Sequence, residues 1–296
     1  MPQGPIALLT ATARVEAWEN AALLESAFAV KGFEAVRAPI DSLHLAGGSI
    51  CVQPSCGPAL NLATCERIWI LGFGHRASFL DKMQLLALMT PQVPFVTAPQ
   101  ALLLWHGKYG LAAQQDLPHP PTWAFNNPES LIATAQREGG RFVLKPPGGS
   151  FGRGMVVADA NSQRLAWAAR SLTRQRAYCL LQRWVPEVAE GEWRILVAGG
   201  RIIDGYRRRP SSAASNLARG GQAQRVAIDP ATRALAERSA RWLAERQIGY
   251  AGIDIAGGWI LEANIVNPGG LATLADLGAG GLAADVVTAV LAINPG

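Results

Sequence analysis

The stretch Val143-Leu144-Lys145-Pro146-Pro147-Gly148-Gly149-Ser150-Phe151-Gly152-Arg153-Gly154-Met155 decides the reading of this chain. A strand-like run ends in a lysine, a glycine-dense turn follows, and a second strand returns. Glycines let backbone N–H groups wrap phosphate oxygens, and the lysine supplies a compact positive charge. The lysine precedes the loop, which is the reverse of the P-loop pattern G-x-x-x-x-G-K-[ST]. Alone, the stretch also suits a glycine hairpin with an exposed lysine. A second stretch weighs against that: Gly252-Ile253-Asp254, then Trp259-Ile260-Leu261-Glu262-Ala263-Asn264 on the next strand of a hairpin. Glu262 and Asn264 are two apart on a strand and share a face. With Asp254 from the adjoining strand they make a hard-oxygen cluster suited to Mg²⁺ between nucleotide phosphates. Both acids lie in apolar strand text, where an unpaired charge would be costly.

Outward from these stretches, Ile6 to Thr10 reads as a strand, Asn20 to Val30 as a helix and Glu34 to Ile40 as a strand. Arg67 to Leu71, Ser78 to Met89 and Pro94 to Thr97 repeat the alternation, so residues 1–100 read as a small parallel α/β domain. Leu117-Pro-His-Pro-Pro-Thr122 marks a new unit. After it come strands at Arg141 to Lys145 and Met155 to Val157, and a helix at Gln163 to Thr173. Tyr178 to Trp184, Glu192 to Ala198 and Arg201 to Arg209 read as strands, the last two joined at Gly199-Gly200. Pro230 to Arg246 is an amphipathic helix, Tyr250 to Ile255 and Trp259 to Ile265 form a hairpin through Gly257-Gly258, and Leu282 to Ile293 closes the chain. The expected architecture joins α/β and α+β parts: an N-terminal domain (1–100), a central lid (101–177) and a C-terminal antiparallel unit (178–296).

Composition narrows the function. The chain has 296 residues, 49% of them apolar, and a net charge of +5. Of its 27 basic residues only Lys31, Lys82, Lys108 and Lys145 are lysines, and the arginines are scattered. That favours anionic small molecules over nucleic acid. The chain shows no run of eighteen uncharged apolar residues and no signal-peptide pattern at its start, so a soluble cytoplasmic protein without membrane partners is expected. Cys51, Cys56, Cys65 and Cys179 lack metal spacing and read as reduced core thiols. Gly72-Phe73-Gly74-His75-Arg76-Ala77 matches the dinucleotide fingerprint, but Pro91 to Gln100 lacks the acid that would hold a ribose. A glycine loop that approaches a substrate fits better.

Several motifs occur in one order: Lys108 ahead of Pro121-Thr122, the Lys145 loop, Gln182-Arg183-Trp184-Val185-Pro186, Glu190-Gly191-Glu192-Trp193-Arg194, Asn216-Leu217-Ala218-Arg219-Gly220-Gly221, and Asp254 with Glu262 and Asn264. From about Ala101 to Asn267 the chain resembles the ATP-grasp ligases. Within them it is similar to bacterial glutathione synthetase and to the relatives that add glutamate to a ribosomal-protein tail, to tetrahydromethanopterin or to the carrier protein of lysine biosynthesis. The resemblance implies a three-part fold with ATP between lid and C-terminal unit. It implies that Lys108, Lys145 and the loop Gly149, Ser150, Phe151 and Gly152 hold ATP phosphates. Gln182, Arg183, Trp184 and Val185 would form the adenine hinge, Trp184 by packing, and Glu192 would bind ribose. Asp254, Glu262 and Asn264 would hold Mg²⁺, and Arg194 with Arg208 or Arg209 would stabilise an acyl phosphate. Arg76, Asn216, Arg219 and Gly220 are left for substrate.

The implied activity is ATP-dependent amide formation between small-molecule carboxylate and amine substrates, with an amino acid such as glutamate as one of them. A ligase acting on a peptide or protein tail and a nucleotide-binding module without turnover are the alternatives. The family's habit of pairing implies a homodimer or homotetramer. Two features depart from the pattern: Pro210-Ser-Ser-Ala-Ala-Ser215 is short and lacks the arginine of glutathione synthetases, and Arg208 and Arg209 are adjacent strand residues that periodicity alone does not separate.

Overall fold

The computed structural model describes residues 4–12, 14, 16, 19–149, 153–210 and 221–293. Strand β1 (Ile6–Thr10) is followed by α1 (Asn20–Val30), β2 (Ala35–Pro39), β3 (His44–Ala46), β4 (Ser49–Val52), β5 (Leu60–Asn61), β6 (Arg67–Ile70) and α2 (Phe79–Ala87). The expected parallel sheet forms in the order β2-β1-β6. The crossover from β2 to β6 carries a small antiparallel sheet, β3-β4-β5. The strand expected at Pro94 to Thr97 is reduced to isolated bridges, Ile68 to Phe95 and Thr97 to Ile248. The reason is that the segment divides its hydrogen bonds. Val96 N–H donates to the Ile68 carbonyl, while the Val96 carbonyl accepts from Gly249 N–H. It is a seam between the first hundred residues and the C-terminal unit.

Next come α3 (Pro99–Trp105), α4 (Tyr109–Ala113), β7 (Thr122–Phe125), α5 (Pro128–Glu138), β8 (Arg141–Lys145), β9 (Val156–Asp159), α6 (Gln163–Leu172) and β10 (Cys179–Arg183). Helix α5 starts where the Asn127 side chain accepts from Ser130 N–H ahead of Pro128 in the first turn, and α6 where Ser162 accepts from Leu165 N–H. The lid sheet is antiparallel, β7-β10-β8-β9.

The rest comprises β11 (Glu192–Ala198), β12 (Arg201–Arg209), β13 (Gln222–Gln224), α7 (Pro230–Ala244), β14 (Tyr250–Ala256), β15 (Trp259–Asn264), α8 (Leu271–Asp276) and α9 (Leu282–Leu291). Its sheet runs β13-β12-β11-β14-β15, all antiparallel. Both two-residue turns, Gly199-Gly200 (φ 55° and 75°) and Gly257-Gly258 (φ 56° and 78°), need left-handed backbone at each position, which glycine adopts without penalty.

Three cores hold these layers. One joins Leu9, Ile68 and Ile70 to Trp193, Ile195, Leu243 and Ile253; another joins Leu8, Phe28 and Trp69 to Leu196, Tyr250 and Val287. The third is confined to the lid, with Leu131, Phe142, Leu144, Leu165 and Leu181. The cores do not follow the borders expected at 100 and 177. Ala101, Leu102 and Leu111 belong to the first core, and β10 belongs to the lid sheet. The sheet that carries the third core runs from β7 to β10, residues 122–183. Of the cysteines, Cys65 and Cys179 are buried core thiols, pushed up to about 12 by burial, whereas Cys56 is exposed. Among the described residues no helix is long and apolar enough to cross a membrane.

Candidate active site

Strand alternation builds the site. Every residue of β11 and β14 is buried. Trp193, Ile195, Ile253 and Ile255 turn to the hydrophobic core, which sends Glu192, Arg194 and Asp254 to the other face. Cross-strand register pairs Glu192 with Arg208, Arg194 with Asp254, and Asp254 with Glu262. The same register separates the two adjacent arginines. Arg208 is buried, with Nη2 2.5 Å from Glu192 Oε1 and 2.7 Å from Asp254 Oδ1, whereas Arg209 is exposed at the strand end and lies outside the cluster.

Asp254 is the hub. Arg194 grips it with two bonds, Nε to Oδ1 at 2.6 Å and Nη2 to Oδ2 at 3.0 Å, and Nη1 donates to the Gly269 carbonyl at 2.8 Å. Asn264 Nδ2 lies 3.4 Å from Asp254 Oδ2. Burial alone would push the Asp254 carboxyl up; Arg194 and Arg208 outweigh it and hold the group below the ordinary carboxylate value. The same contact raises Arg194 against its own burial. Arg208 Nε is buried and, among the described residues, has no hydrogen-bond partner. An orphaned guanidinium donor in such a cluster suits an incoming anion.

The lid supplies the opposing wall. Lys145, at the end of β8, shares a face with Gln182 on β10, and its Nζ donates to Gln182 Oε1 at 3.0 Å. Loss of hydration pushes the Lys145 ammonium below the usual lysine value, with Lys108 in the same sense and Glu262, Asp254 and Glu192 against it. Lys108 caps α4 in left-handed backbone (φ 61°) and bridges the two walls. Its Nζ donates to the carbonyls of Pro147 and Gly149 at 3.1 and 2.8 Å and pairs with Glu262 Oε1 at 3.1 Å. In the hinge, the N–H groups of Arg183 and Trp184 already donate to Pro121 and Arg141 carbonyls, and the Arg183 side chain turns away to lie over Phe142. Val185 is buried beside them.

The donor set suits Mg²⁺ in kind. Asp254, Glu262 and Asn264 offer two carboxylates and an amide oxygen. Among the described residues no group of three or more His, Cys, Asp or Glu side chains is placed to hold a metal ion by itself. Such a partial shell fits an ion that takes its remaining ligands from water and phosphate.

The sequence-predicted residues do not all meet. Ser150, Phe151, Gly152, Asn216, Arg219 and Gly220 lie outside the described residues. Arg76 is exposed on the Gly72–Ala77 loop, which borders the cluster through His106: Phe73 packs edge-on against the His106 ring at 4.6 Å, and His106 feels Lys108, Glu262 and Arg76. The Gly74 turn (φ 58°) is held by Asp41, whose carboxylate accepts His75 N–H at 3.0 Å and pairs with buried Lys82. Asp41, Lys82, His106, His119 and Asn20 carry no motif and were not anticipated. Asn20 Nδ2 donates to Asn267 Oδ1 and the Pro268 carbonyl, each at 2.7 Å, just before the Gly269 carbonyl that meets Arg194. A cavity of about 700 Å³, lined by Trp193, Arg207, Asp229 and Ile255, opens on the far face of the sheet, away from this cluster.

Comparison with known proteins bears on the family and the fold. Residues 113–278 match the family model of the prokaryotic glutathione synthetase ATP-grasp domain. The glutathione synthetase of Parasynechococcus marenigrum (strain WH8102) is 35% identical over 182 residues, 60% of this chain and 59% of that protein. The chain thus spans about three fifths of the length of the curated relatives it matches. The fold is shared with the RimK domain protein ATP-grasp from Sphaerobacter thermophilus DSM 20745 (TM-score 0.66, 24% identity, 97% of this chain and 99% of that one). It is shared as well with D-cycloserine synthetase DcsG (TM-score 0.71, 16% identity, 98% and 100%). With its match to the family model running through more than half of its length, the chain belongs to the prokaryotic glutathione synthetase ATP-grasp family.

Proposed function

We propose that the protein is an ATP- and Mg²⁺-dependent carboxylate-amine ligase that releases ADP and phosphate. One observation carries the reading: Lys145 from the lid, Lys108 ahead of α4 and two buried arginines from the C-terminal sheet converge with three carboxylates and an amide. Lys145, Lys108, Arg194 and Arg208 carry four positive charges against three on Glu192, Asp254 and Glu262, which leaves the cluster cationic before nucleotide arrives. Lys145 and Lys108 hold the phosphates, the hinge backbone around Val185 takes adenine, and Glu192 takes ribose. Asp254, Glu262 and Asn264 would hold Mg²⁺, which when bound offsets phosphate charge.

A substrate carboxylate oxygen attacks the γ-phosphorus, the bond to the β,γ-bridging oxygen breaks, and ADP departs. Arg194 and Arg208 balance the charge that spreads over the transferring phosphoryl group. An amine nitrogen then attacks the acyl carbon of the acyl phosphate, sheds a proton, and phosphate leaves with the C–O electron pair. The protein supplies no covalent nucleophile; its part is positioning, charge and exclusion of water under the lid. The substrates are two small molecules, one offering a carboxylate and the other an amine, with an amino acid as one of the pair. Because the Pro210 to Ser215 stretch lacks the arginine of glutathione synthetases, γ-glutamylcysteine and glycine are expected to be poor substrates.

Phosphate release from Mg·ATP, screened over carboxylate and amine pairs, tests the reading. Turnover that needs both partners is expected, and the Glu262→Gln variant should lose at least about a hundredfold in kcat while remaining folded. Turnover indifferent to every acceptor, or unchanged in Glu262→Gln at saturating Mg²⁺, would overturn it.

A further inference from the structure

We propose that His119 is a positioning residue for Lys145, acting by fixing which way the Gln182 side-chain amide faces. The inference rests on the nucleotide-binding reading of Lys145. An ammonium can only donate, so the Gln182 atom 3.0 Å from Lys145 Nζ must be the oxygen. The Gln182 NH₂ group then points the other way and meets two acceptors, His119 Nε2 at 3.0 Å and Thr122 Oγ1 at 3.1 Å. The Thr122 hydroxyl proton is already donated to the Pro120 carbonyl at 2.8 Å, so its oxygen is left to accept. His119 must likewise present a bare Nε2, with its proton on Nδ1.

The whole chain has one consistent assignment. If Gln182 flipped, its N–H groups would face an ammonium and its oxygen would face two acceptors. The surroundings hold His119 in the required neutral form: burial, with the nearby Lys145 charge adding to it, lowers its pKa to about 4 against the pull of a Pro120 backbone bond. His119 lies in the Pro-rich connection ahead of β7, Thr122 is the first residue of β7, and Gln182 lies opposite it on β10. The lysine that meets phosphate is therefore oriented from a segment with no phosphate contact of its own. Mispositioning by a fraction of an ångström weakens a charge-assisted bond without abolishing it.

Calorimetric titration with a non-hydrolysable ATP analogue and Mg²⁺ tests this on the full chain. His119→Leu should weaken binding about three- to tenfold. His119→Gln, whose side-chain oxygen falls near the position of Nε2, should restore it to within about twofold. In a Lys145→Met background, His119→Leu should have no further effect, because the lysine it positions is gone. If His119→Leu does not fold, His119→Asn, polar but too short to reach Gln182, replaces it. Unaltered affinity in His119→Leu with weakened affinity in Lys145→Met would overturn the role of His119 and leave the nucleotide site standing. An equal loss in both backgrounds would make His119 merely structural. Failure of the unaltered protein to bind the analogue would overturn both readings.

Discussion

At the scale of the residue, the site is governed by compensation of buried charge. Arg194, Arg208, Glu192 and Asp254 are each at most 8% exposed. Ions so far from water persist only when paired and hydrogen-bonded. Asp254 pairs with both arginines, so removing either leaves an unbalanced charge in a dry place. Arg208→Ala should therefore lower stability by about 3–5 kcal/mol and abolish turnover. Arg209→Ala, at an exposed strand end, should change stability by less than about 0.5 kcal/mol and activity by less than twofold. Thermal melts and ATPase assays of the two variants side by side check this, and equal effects would refute the assignment by register.

Among elements, the glycine loop after β6 depends on one carboxylate from the segment that follows β2. Asp41 draws in His75 N–H and Lys82 Nζ, and a Cβ at Gly74 would overlap the Asp41 carboxylate. Gly74 also has left-handed backbone. Gly74→Ala should thus be strained in two ways and displace Arg76; if the loop meets substrate, as expected from the sequence, the Michaelis constant for the carboxylate substrate should rise more than that for ATP. Burial pulls the Asp41 carboxyl up; the bonds from Lys82 and His75 N–H and the charges of both outweigh it and set it below the ordinary 3.8. A carboxyl depressed in the folded state stabilises fully above 3.8 and loses that contribution as pH falls through its lower folded value. Because Asp41 is exposed and its ion pair is screened by water, Asp41→Asn should cost about 0.5–1 kcal/mol at pH 7 and almost nothing below the folded value, which denaturant melts at several pH values would show.

For the molecule as a whole, residues of the first hundred and of the C-terminal unit share two cores, while the lid has its own. Trp69 lies edge-on to both Phe28 and Tyr250 within one of these cores and so ties the first hundred residues to the C-terminal unit. Calorimetric unfolding should accordingly separate. Leu181→Ala, costing about 2–5 kcal/mol, should lower only the lid transition, and Trp69→Ala, about 3–5 kcal/mol, only the other. A single transition shifted by both variants would contradict this. His106 and His119 add a pH dependence. Burial lowers both to about 4, so between the ordinary 6.5 and that value the unfolded chain binds protons that the folded one refuses. Stability should fall as pH drops from 7 towards 4, and neither His106 nor His119 should contribute a step in turnover near 6.5.

The sequence by itself determined what is local and periodic. Apolar alternation placed β11 and β12 to the residue, paired glycines marked both left-handed turns, and the lysine ahead of its glycine loop, with Asp254, Glu262 and Asn264, marked the residues proposed to carry the chemistry. These signals are legible because side-chain period and backbone permission act within a few residues. Only the tertiary structure decided the rest. Choosing Arg208 over Arg209 needs the register against Glu192, which lies on another strand. The lid border follows from which core each side chain joins, and the Pro94 to Thr97 segment failed as a strand because two neighbours divide its hydrogen bonds. Asp41, His106 and His119 matter through partners 34, 156 and 63 positions away, at His75, Glu262 and Gln182. No period in a single sequence encodes such distances, because folding alone brings those groups together.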